Sequence, residues 1–304
     1  MSIDTAPVTE SAGTKRETVH FLSHGETLEA YLYLPASPAP DGGFPATVTA
    51  PGLGGVKEML IGSYAGPIAQ AGLACLSVDY RHFGGSTGNP RQHIDPRKQV
   101  EDIKAGLDYL EQRDDINSDR LGIWGTSMSG GHSVTIAATD DRIKAAVALI
   151  PFLVSSKPSG DVGAMRRAVM LDGLKRLFGG KHGTIPIFAE TVGQFAVMGS
   201  DGGWDWMQGI TKQAPNYRNE ITLQSLLKIG SYEPGKKVSD LAVPTLLVAA
   251  AADTITPADP IREFAKKAGA FAEYVEFPQS HFELFGESLS ASASQTVDWF
   301  KRHL

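Results

Sequence analysis

Short apolar runs alternate with helical patterns along most of the chain, and this rhythm limits the fold more than any other feature. The runs "ATVTA", "LACLSVD", "RLGIWG" and "IKAAVALIP" are almost continuously apolar, and segments with helical spacing separate them. Such strands are typical of a parallel sheet with helices on both faces. With "TVHFLS", "LEAYLYLP", "VPTLLVAAAAD" and "AEYVEF", the pattern predicts an α/β fold with a mostly parallel eight-stranded sheet flanked by helices.

The rhythm stops between residues 152 and 237. This stretch contains helical patches such as "GAMRRAVMLDGLKRLFGG" but no convincing strand alternation. We therefore predict a core made of residues 18–151 and 238–304, with 152–237 inserted as a helical cap. Residues 1–17 are polar and are predicted to form a mobile N-terminal arm.

Composition excludes several classes of protein. The 304 residues carry a net charge of −6, with both signs scattered, which argues against a nucleic-acid footprint and against a strongly basic membrane-surface helix. No apolar run is long enough to span a bilayer, and the N-terminus has no apolar signal region, so we expect a cytoplasmic protein without membrane contact. The single cysteine, Cys75, lies in an apolar run and is predicted to be buried.

The segment "GIWGTSMSGG" follows a predicted strand and begins a predicted helix. Ser127 has the small residues Gly125 and Ser129 two positions to either side, as a nucleophile elbow requires where strand and helix nearly touch. Ser129 also fits, with Gly131 two residues later, but it would then lie inside the first helical turn. A helix start that only packs closely on the sheet is the structural alternative. We predict that Ser127 is a nucleophile.

A serine nucleophile needs a base and a group that orients the base. Asp253 comes just after a predicted apolar strand, with Asp259 as a competitor whose simpler role would be to cap a helix. Among eight histidines, His281 is the one in the loop directly after the last predicted strand, whereas His303 lies in the C-terminal tail. The order Ser127, Asp253, His281 is the one expected of the α/β-hydrolase arrangement.

The developing oxyanion needs two backbone N–H donors. Met128, directly after the nucleophile, supplies one, and Leu53 in the turn "APGLGG" is predicted to supply the other, with Gly52 as the alternative. The glycines of this turn do not match the spacing of a dinucleotide-binding loop. No metal-binding motif is present, so neither a cofactor nor a metal is expected.

Together, "PGLGG", "DYRHFGGS", "GTSMSGG" and the Asp253 and His281 loops resemble the α/β-hydrolase superfamily. The resemblance covers about residues 18–151 and 238–304 and is strongest to esterase-like and dipeptidyl-peptidase-like members with a helical cap. Pro51 departs from the pattern, because many members carry the histidine of an H-G-x-G turn there. The serine distinguishes the chain from members with a cysteine or aspartate nucleophile.

The resemblance implies a serine hydrolase of carboxylesterase type that cleaves a carboxylic ester through an acyl-enzyme. Amide, peptide or C–C bond hydrolysis with the same three residues is an alternative, and so is a non-catalytic binding protein of the same fold. The expected partner is a small-molecule acyl substrate, and a homo-oligomer is possible. Trp204, Trp206 and Phe195 are predicted either to line the substrate pocket or to form the core of the cap, while Asp79 and Arg81 are assigned to a structural turn.

Overall fold

The protein is described here by a computed structural model, which covers residues 13–59, 62–154, 162–191, 194–198 and 202–304. These residues form ten strands, of which eight make one sheet in the order β1-β2-β4-β3-β5-β6-β9-β10. The strands are β1 (Thr14–Ser23), β2 (Glu26–Pro35), β3 (Phe44–Ala50), β4 (Ala74–Val78), β5 (Ile116–Thr126), β6 (Ile143–Leu149), β7 (Thr184–Ile185), β8 (Ile221–Thr222), β9 (Thr245–Ala250) and β10 (Ala272–Phe277).

The large sheet is parallel except at one edge. Strand β2 pairs antiparallel with both β1 and β4, and the strands from β4 to β10 in the sheet order pair in parallel. The strands β3, β4 and β9 are buried along their whole length, which is why their sequences are mostly apolar. The predicted fold class is confirmed.

The described residues also form eight α-helices, five of which pack on the strands of this sheet. They are α1 (Gly62–Gln70), α2 (Pro96–Glu111), α3 (Met128–Ala137), α4 (Val162–Leu177), α5 (Gly203–Ile210), α6 (Ser225–Gly230), α7 (Ala258–Ala268) and α8 (Leu289–His303). Helix α1 packs against α8, and α2 packs against α3. Asp95 caps α2 by accepting a hydrogen bond from the Arg97 N–H, with Pro96 in the first turn. No helix among the described residues is both long and apolar enough to cross a bilayer.

The predicted arm and the predicted insertion differ from the structure in detail. Strand β1 begins at Thr14, so residues 14–17 belong to the sheet and not to an arm, while residues 1–12 lie outside the described residues. The segment 152–237, called the insert below, lies between β6 and β9 and contains α4, α5 and α6. It also contains an antiparallel pair, β7 and β8, which the helical prediction missed because each strand has only two residues. The division into domains remains a prediction.

Strand β8 fixes the insert to a loop of the core. The Thr222 N–H donates to the Gln92 carbonyl at 2.8 Å, and the Thr222 hydroxyl lies 2.8 Å from His93 Nδ1. The Ile94 N–H donates to the Ser225 hydroxyl at 2.8 Å. Because these groups are largely buried, each would be costly to leave unpaired. The insert therefore has a defined position above the carboxyl ends of β3 and β5.

Candidate active site

Ser127 lies at a sharp turn between β5 and α3. Its backbone has φ 54° and ψ −115°, a conformation that costs energy for a residue with a Cβ. The turn is held on both sides, because the Ser127 N–H donates to the Leu149 carbonyl and the Phe152 N–H donates to the Ser127 carbonyl, each at 2.8 Å. Strain maintained in this way is typical of a functional residue.

The neighbours of Ser127 explain why the turn needs small residues. A Cβ added to Gly125 would overlap the backbone carbonyl of Ser129. The Ser129 side chain is fully buried, accepts a hydrogen bond from the Thr126 N–H at 2.9 Å and donates to the Ala50 carbonyl at 2.7 Å. Ser129 therefore ties the elbow to the end of β3, whereas Ser127 faces the cavities described below.

Asp253 and His281 form a buried pair at the ends of β9 and β10. His281 Nδ1 lies 2.7 Å from Asp253 Oδ2, and each residue is 5% exposed. Three further donors surround the carboxylate at 2.8 Å, namely the N–H groups of Ile255 and Thr256 and the Thr256 hydroxyl. Burial raises the pKa of Asp253, but the hydrogen bonds from His281 and Thr256 outweigh it, so that the pKa lies below its usual value.

Asp259, the competing carboxylate, lies elsewhere. It is exposed in the first turn of α7 and pairs with Arg262 at 2.5 Å. The structure therefore brings Asp253, and not Asp259, to His281.

Ser127 and His281 line the same small cavity at the edge of the sheet. No hydrogen bond joins their side chains in the part of the chain that the structure describes. Bonds between a nucleophile and its base are often long without substrate and shorten when substrate binds, so their shared cavity is the relevant observation. The arrangement permits His281 to act on Ser127 while Asp253 holds its other ring nitrogen.

The turn after β3 lies directly beside the elbow. A Cβ added to Gly52 would lie 3.4 Å from Ser127 Cβ, in close van der Waals contact, so this backbone lies directly against the serine. Leu53 and Met128 both line the large cavity with Ser127. Within the described residues, neither of their N–H groups donates a hydrogen bond. Two free donors beside a serine are suited to a developing oxyanion.

An ionic anchor fixes the turn that carries Leu53. Lys57 is buried; its Nζ lies 2.7 Å from Asp79 Oδ2 and 2.6 Å from Glu29 Oε1, and its N–H donates to Asp79 Oδ1 at 2.6 Å. Burial lowers the pKa of Lys57, but the two carboxylates more than offset this and raise the pKa above its usual value. Asp79 therefore holds both the side chain and the backbone of Lys57 close to the turn.

Two cavities meet at Ser127. The large one has a volume of about 710 Å³, and the small one has about 60 Å³. The insert lines the large cavity mainly with apolar side chains, which are Met165, Val169, Met170, Val197, Met198, Leu226, Leu227 and Ile229. The small cavity is aromatic, with Phe188, Trp206, Tyr217, Phe282 and Phe285. Ser127, Leu53 and Met198 line both cavities.

The other predicted residues have mixed outcomes. Trp206 lines the small cavity, whereas Trp204 and Phe195 line neither cavity. Asp79 belongs to the anchor, and Arg81 donates to Asp102 Oδ1 at 2.8 Å, so both have structural roles. Among the described residues, no group of three or more His, Cys, Asp or Glu side chains could hold a metal ion.

Two buried side chains with unusual pKa values have no part in the site. His132 is hydrogen-bonded to Tyr232 and Gln99, and burial lowers its pKa to about 3. The Cys75 thiol is buried, and burial raises its pKa to about 11. Both side chains are packing residues and not reactive groups at neutral pH.

Sequence reasoning missed Lys57, Glu29 and Thr256. Lys57 and Glu58 interrupt the otherwise apolar and glycine-rich stretch "PGLGGVKEML", and a lysine that is buried in such a stretch needs a charged partner. Thr256 follows Asp253 by three residues, a spacing at which a hydroxyl can bond back to an aspartate. Glu29 gave no such signal, because it lies 28 residues from Lys57 in the sequence and the two side chains meet only in the folded protein.

Several known proteins resemble this chain over most of its length. Residues 59–288 match the family model described as serine aminopeptidase, S33. The quorum-quenching protein AidA of Acinetobacter baumannii (strain MDR-ZJ06) is 31% identical over 290 residues, which are 93% of this chain and 94% of that protein. A thiohydrolase of Eupenicillium brefeldianum is 31% identical over 251 residues, 80% of each chain.

A solved structure supports the same fold. The α/β hydrolase GrgF from Penicillium sp. sh18 superposes with a TM-score of 0.81 at 24% identity, covering 95% of this chain and 99% of that one. The family model matches well over half of the chain, and the order of strands in the sheet fits it. The chain therefore belongs to the S33 family of α/β hydrolases.

Proposed function

We propose that this protein hydrolyses carboxylic esters that carry an apolar acyl group, through an acyl-enzyme on Ser127. The observation that carries the proposal is the buried Asp253–His281 pair at 2.7 Å, which shares a cavity with a strained, accessible serine. A non-catalytic protein would have no need to maintain this backbone strain at Ser127. It would also have no need for two backbone N–H groups without acceptors beside the serine, those of Leu53 and Met128.

The reaction follows from the positions of five residues. His281 Nε2 takes the proton of Ser127 as its Oγ bonds to the ester carbonyl carbon, and the oxyanion accepts hydrogen bonds from the Leu53 and Met128 N–H groups. Each such donor contributes about 2.7–4 kcal/mol in other hydrolases. The C–O bond then breaks, and the leaving alkoxide takes the proton from His281. A water molecule then gives a proton to His281 as its oxygen bonds to the acyl carbonyl carbon. The bond from this carbon to Ser127 Oγ breaks, the acid leaves, and His281 returns the proton to Ser127 Oγ, while Asp253 stabilises the imidazolium in both halves of the reaction.

The lining of the two cavities suggests which cavity binds the acyl group of the ester and which binds the alcohol. His281 lines the small aromatic cavity but not the large one. Because this histidine delivers the proton to the leaving group, the alcohol belongs in the small cavity and the acyl group in the large apolar one. We therefore expect a preference for bulky or long apolar acyl groups joined to small alcohols.

A thioester is a second candidate substrate. The thiohydrolase relative is 31% identical over 80% of each chain, and the same residues would expel a thiolate, which needs less help from the acid. An aminopeptidase reaction, which the family description names, has less support. Neither cavity is lined by a carboxylate within the described residues, and a free α-ammonium group would need one.

The test combines active-site labelling with kinetics. A fluorophosphonate probe should label the protein, and Ser127→Ala should abolish labelling while His281→Ala strongly reduces it. Ser129→Ala is the matched control, because it removes a hydroxyl two residues away and should leave labelling in place. Labelling that persists in Ser127→Ala with the fold intact would reject the assignment. Esters, thioesters and amides with the same acyl group would then rank the reactions.

A further inference from the structure

Helix α4 of the insert presents large apolar side chains to solvent. Its exposed apolar residues form one stripe, and their exposure ranges from 48% for Leu174 to 88% for Phe178. Successive side chains of a helix are turned by 100°, so four of these residues lie on a single face of α4. The fifth, Phe178, directly follows the helix and continues the same face. This apolar stripe consists of Met170, Leu171, Leu174, Leu177 and Phe178.

The opposite face of α4 is also apolar. Met165 and Val169 are buried there and line the large cavity. A helix with apolar side chains on two opposite faces is normally covered on both faces, but in the described residues only the cavity side of α4 is covered. The stripe is therefore a surface that fits an apolar partner.

The charges around the stripe are almost all positive. Between residues 162 and 181 the sequence has five cationic residues and one acidic residue. The acidic one, Asp172, is buried, where it accepts hydrogen bonds from the Gly183 N–H and Gln224 Nε2. The cations are exposed and comprise Arg166, Arg167, Lys175, Arg176 and Lys181. This local excess contrasts with the net charge of −6 of the whole chain.

The stripe is continuous with the mouth of the large cavity. Met170 belongs to the stripe and also lines that cavity. Leu227 on α6 lines the cavity too and is 59% exposed. The stripe and the lining of the cavity that contains Ser127 therefore share apolar side chains.

We propose that the stripe docks the protein on an anionic lipid surface, with α4 lying in the interface and the large cavity open towards the acyl chains. An apolar face flanked by lysine and arginine is what such helices use. A second copy of this chain fits less well, because a symmetric contact would bring the cations of two α4 helices together with no exposed carboxylate on either. The whole-chain charge, from which we expected no membrane contact, hides this local excess.

The full-length protein can be tested by flotation with vesicles. It should float with vesicles of phosphatidylcholine mixed with phosphatidylglycerol and much less with phosphatidylcholine alone. Leu174→Ser with Phe178→Ser should weaken partitioning about a hundredfold or more, and Lys175→Gln with Arg176→Gln should weaken it about 30-fold. None of these four residues lines either cavity.

The matched control is Leu22→Ser with Phe271→Ser, which removes one exposed leucine and one exposed phenylalanine from other parts of the surface. This variant should float like the unmodified protein. Equal flotation of the stripe variant and the control would overturn the proposal, and so would an absence of flotation with both vesicle types. Dimerisation that the stripe variant abolishes, without vesicle binding, would assign the surface to a second copy instead.

The proposed membrane docking and the proposed ester hydrolysis can be tested independently of each other. Ser127→Ala should float as well as the unmodified protein, because the stripe requires no catalysis. The stripe variant should keep its turnover of a water-soluble short-chain ester. Flotation without any esterase activity would refute only the proposed function, and activity without flotation would refute only the docking surface.

Discussion

The two sides of the site are built by different means. On the core side, polar groups are paired at short distances: Asp253 has four donors, and Lys57 joins two carboxylates. On the insert side, the large cavity is lined mainly by apolar side chains. Hydrogen bonds specify position, whereas apolar packing tolerates changes of shape. The core therefore suits a fixed chemistry. The insert suits a substrate preference that a small number of substitutions is enough to change.

The largest effect should come from the carboxylate on the core side. Asp253→Asn keeps the shape of the side chain but no longer stabilises the imidazolium or selects the correct ring tautomer of His281. We expect kcat to fall about 10⁴-fold, measured with a soluble ester on protein whose folding is checked by circular dichroism. Asp259→Asn, at the exposed competitor, should leave kcat unchanged. A similar loss in both variants would show that Asp253 has no special role.

The ionic anchor should matter most for stability. Lys57→Met leaves Asp79 buried without its partner, and breaking such a pair costs about 3–5 kcal/mol of unfolding free energy. Urea denaturation would measure this change. Lys266→Met is the matched control, because it breaks an exposed pair with Glu263 and should change the unfolding free energy far less, since water screens such pairs. Adding Asp79→Asn to Lys57→Met should recover part of the loss, and no recovery would argue against an uncompensated charge.

The insert should control acyl preference without affecting the chemistry. Met165→Trp fills part of the large cavity, and we expect kcat/KM for long acyl esters to fall about tenfold to a hundredfold. Short acyl esters should be hydrolysed nearly as before. Phe195→Ala, also in the insert but away from both cavities, should change neither. Equal losses for long and short esters would contradict the assignment of the acyl group to this cavity.

The smallest expected effect is a dependence of stability on pH. The pKa of Asp253 is lowered in the folded state, so its contribution is present above the ordinary value of about 3.9 and is lost as the pH falls through the lower folded value. The difference in unfolding free energy between the unmodified protein and Asp253→Asn should therefore shrink on acidification below about pH 4. A difference that stays constant over this range would mean that the carboxylate is not held ionised by its neighbours.

The sequence predicted the sheet well because buried parallel strands have a distinctive apolar pattern, as in β3, β4 and β9. It also led to Asp253 and His281 as a pair, because a fixed chain order places both at one edge of the sheet, and the structure joins them at 2.7 Å. Their catalytic roles, with those of Ser127, Leu53 and Met128, stay predictions.

Features made by contacts between distant segments were harder to predict. The Lys57 anchor joins three segments of the core, and the pairing of β7 with β8 joins positions far apart in the insert. Two-residue strands have no periodicity to detect. The positive charge around α4 was visible in the sequence. It suggested a docking surface only once the structure showed which face of the helix is covered and which is exposed.

The buried state of Cys75 has a practical consequence. It is the only cysteine in the chain, and its thiol is inaccessible with a pKa of about 11, so reagents that attack thiolates should leave it intact at neutral pH. A cysteine introduced at Leu174 would then be a unique attachment point for a nitroxide or a polarity-sensitive dye. The native chain is thus ready for spectroscopic measurement of how deeply α4 enters a lipid layer, without removal of any natural residue.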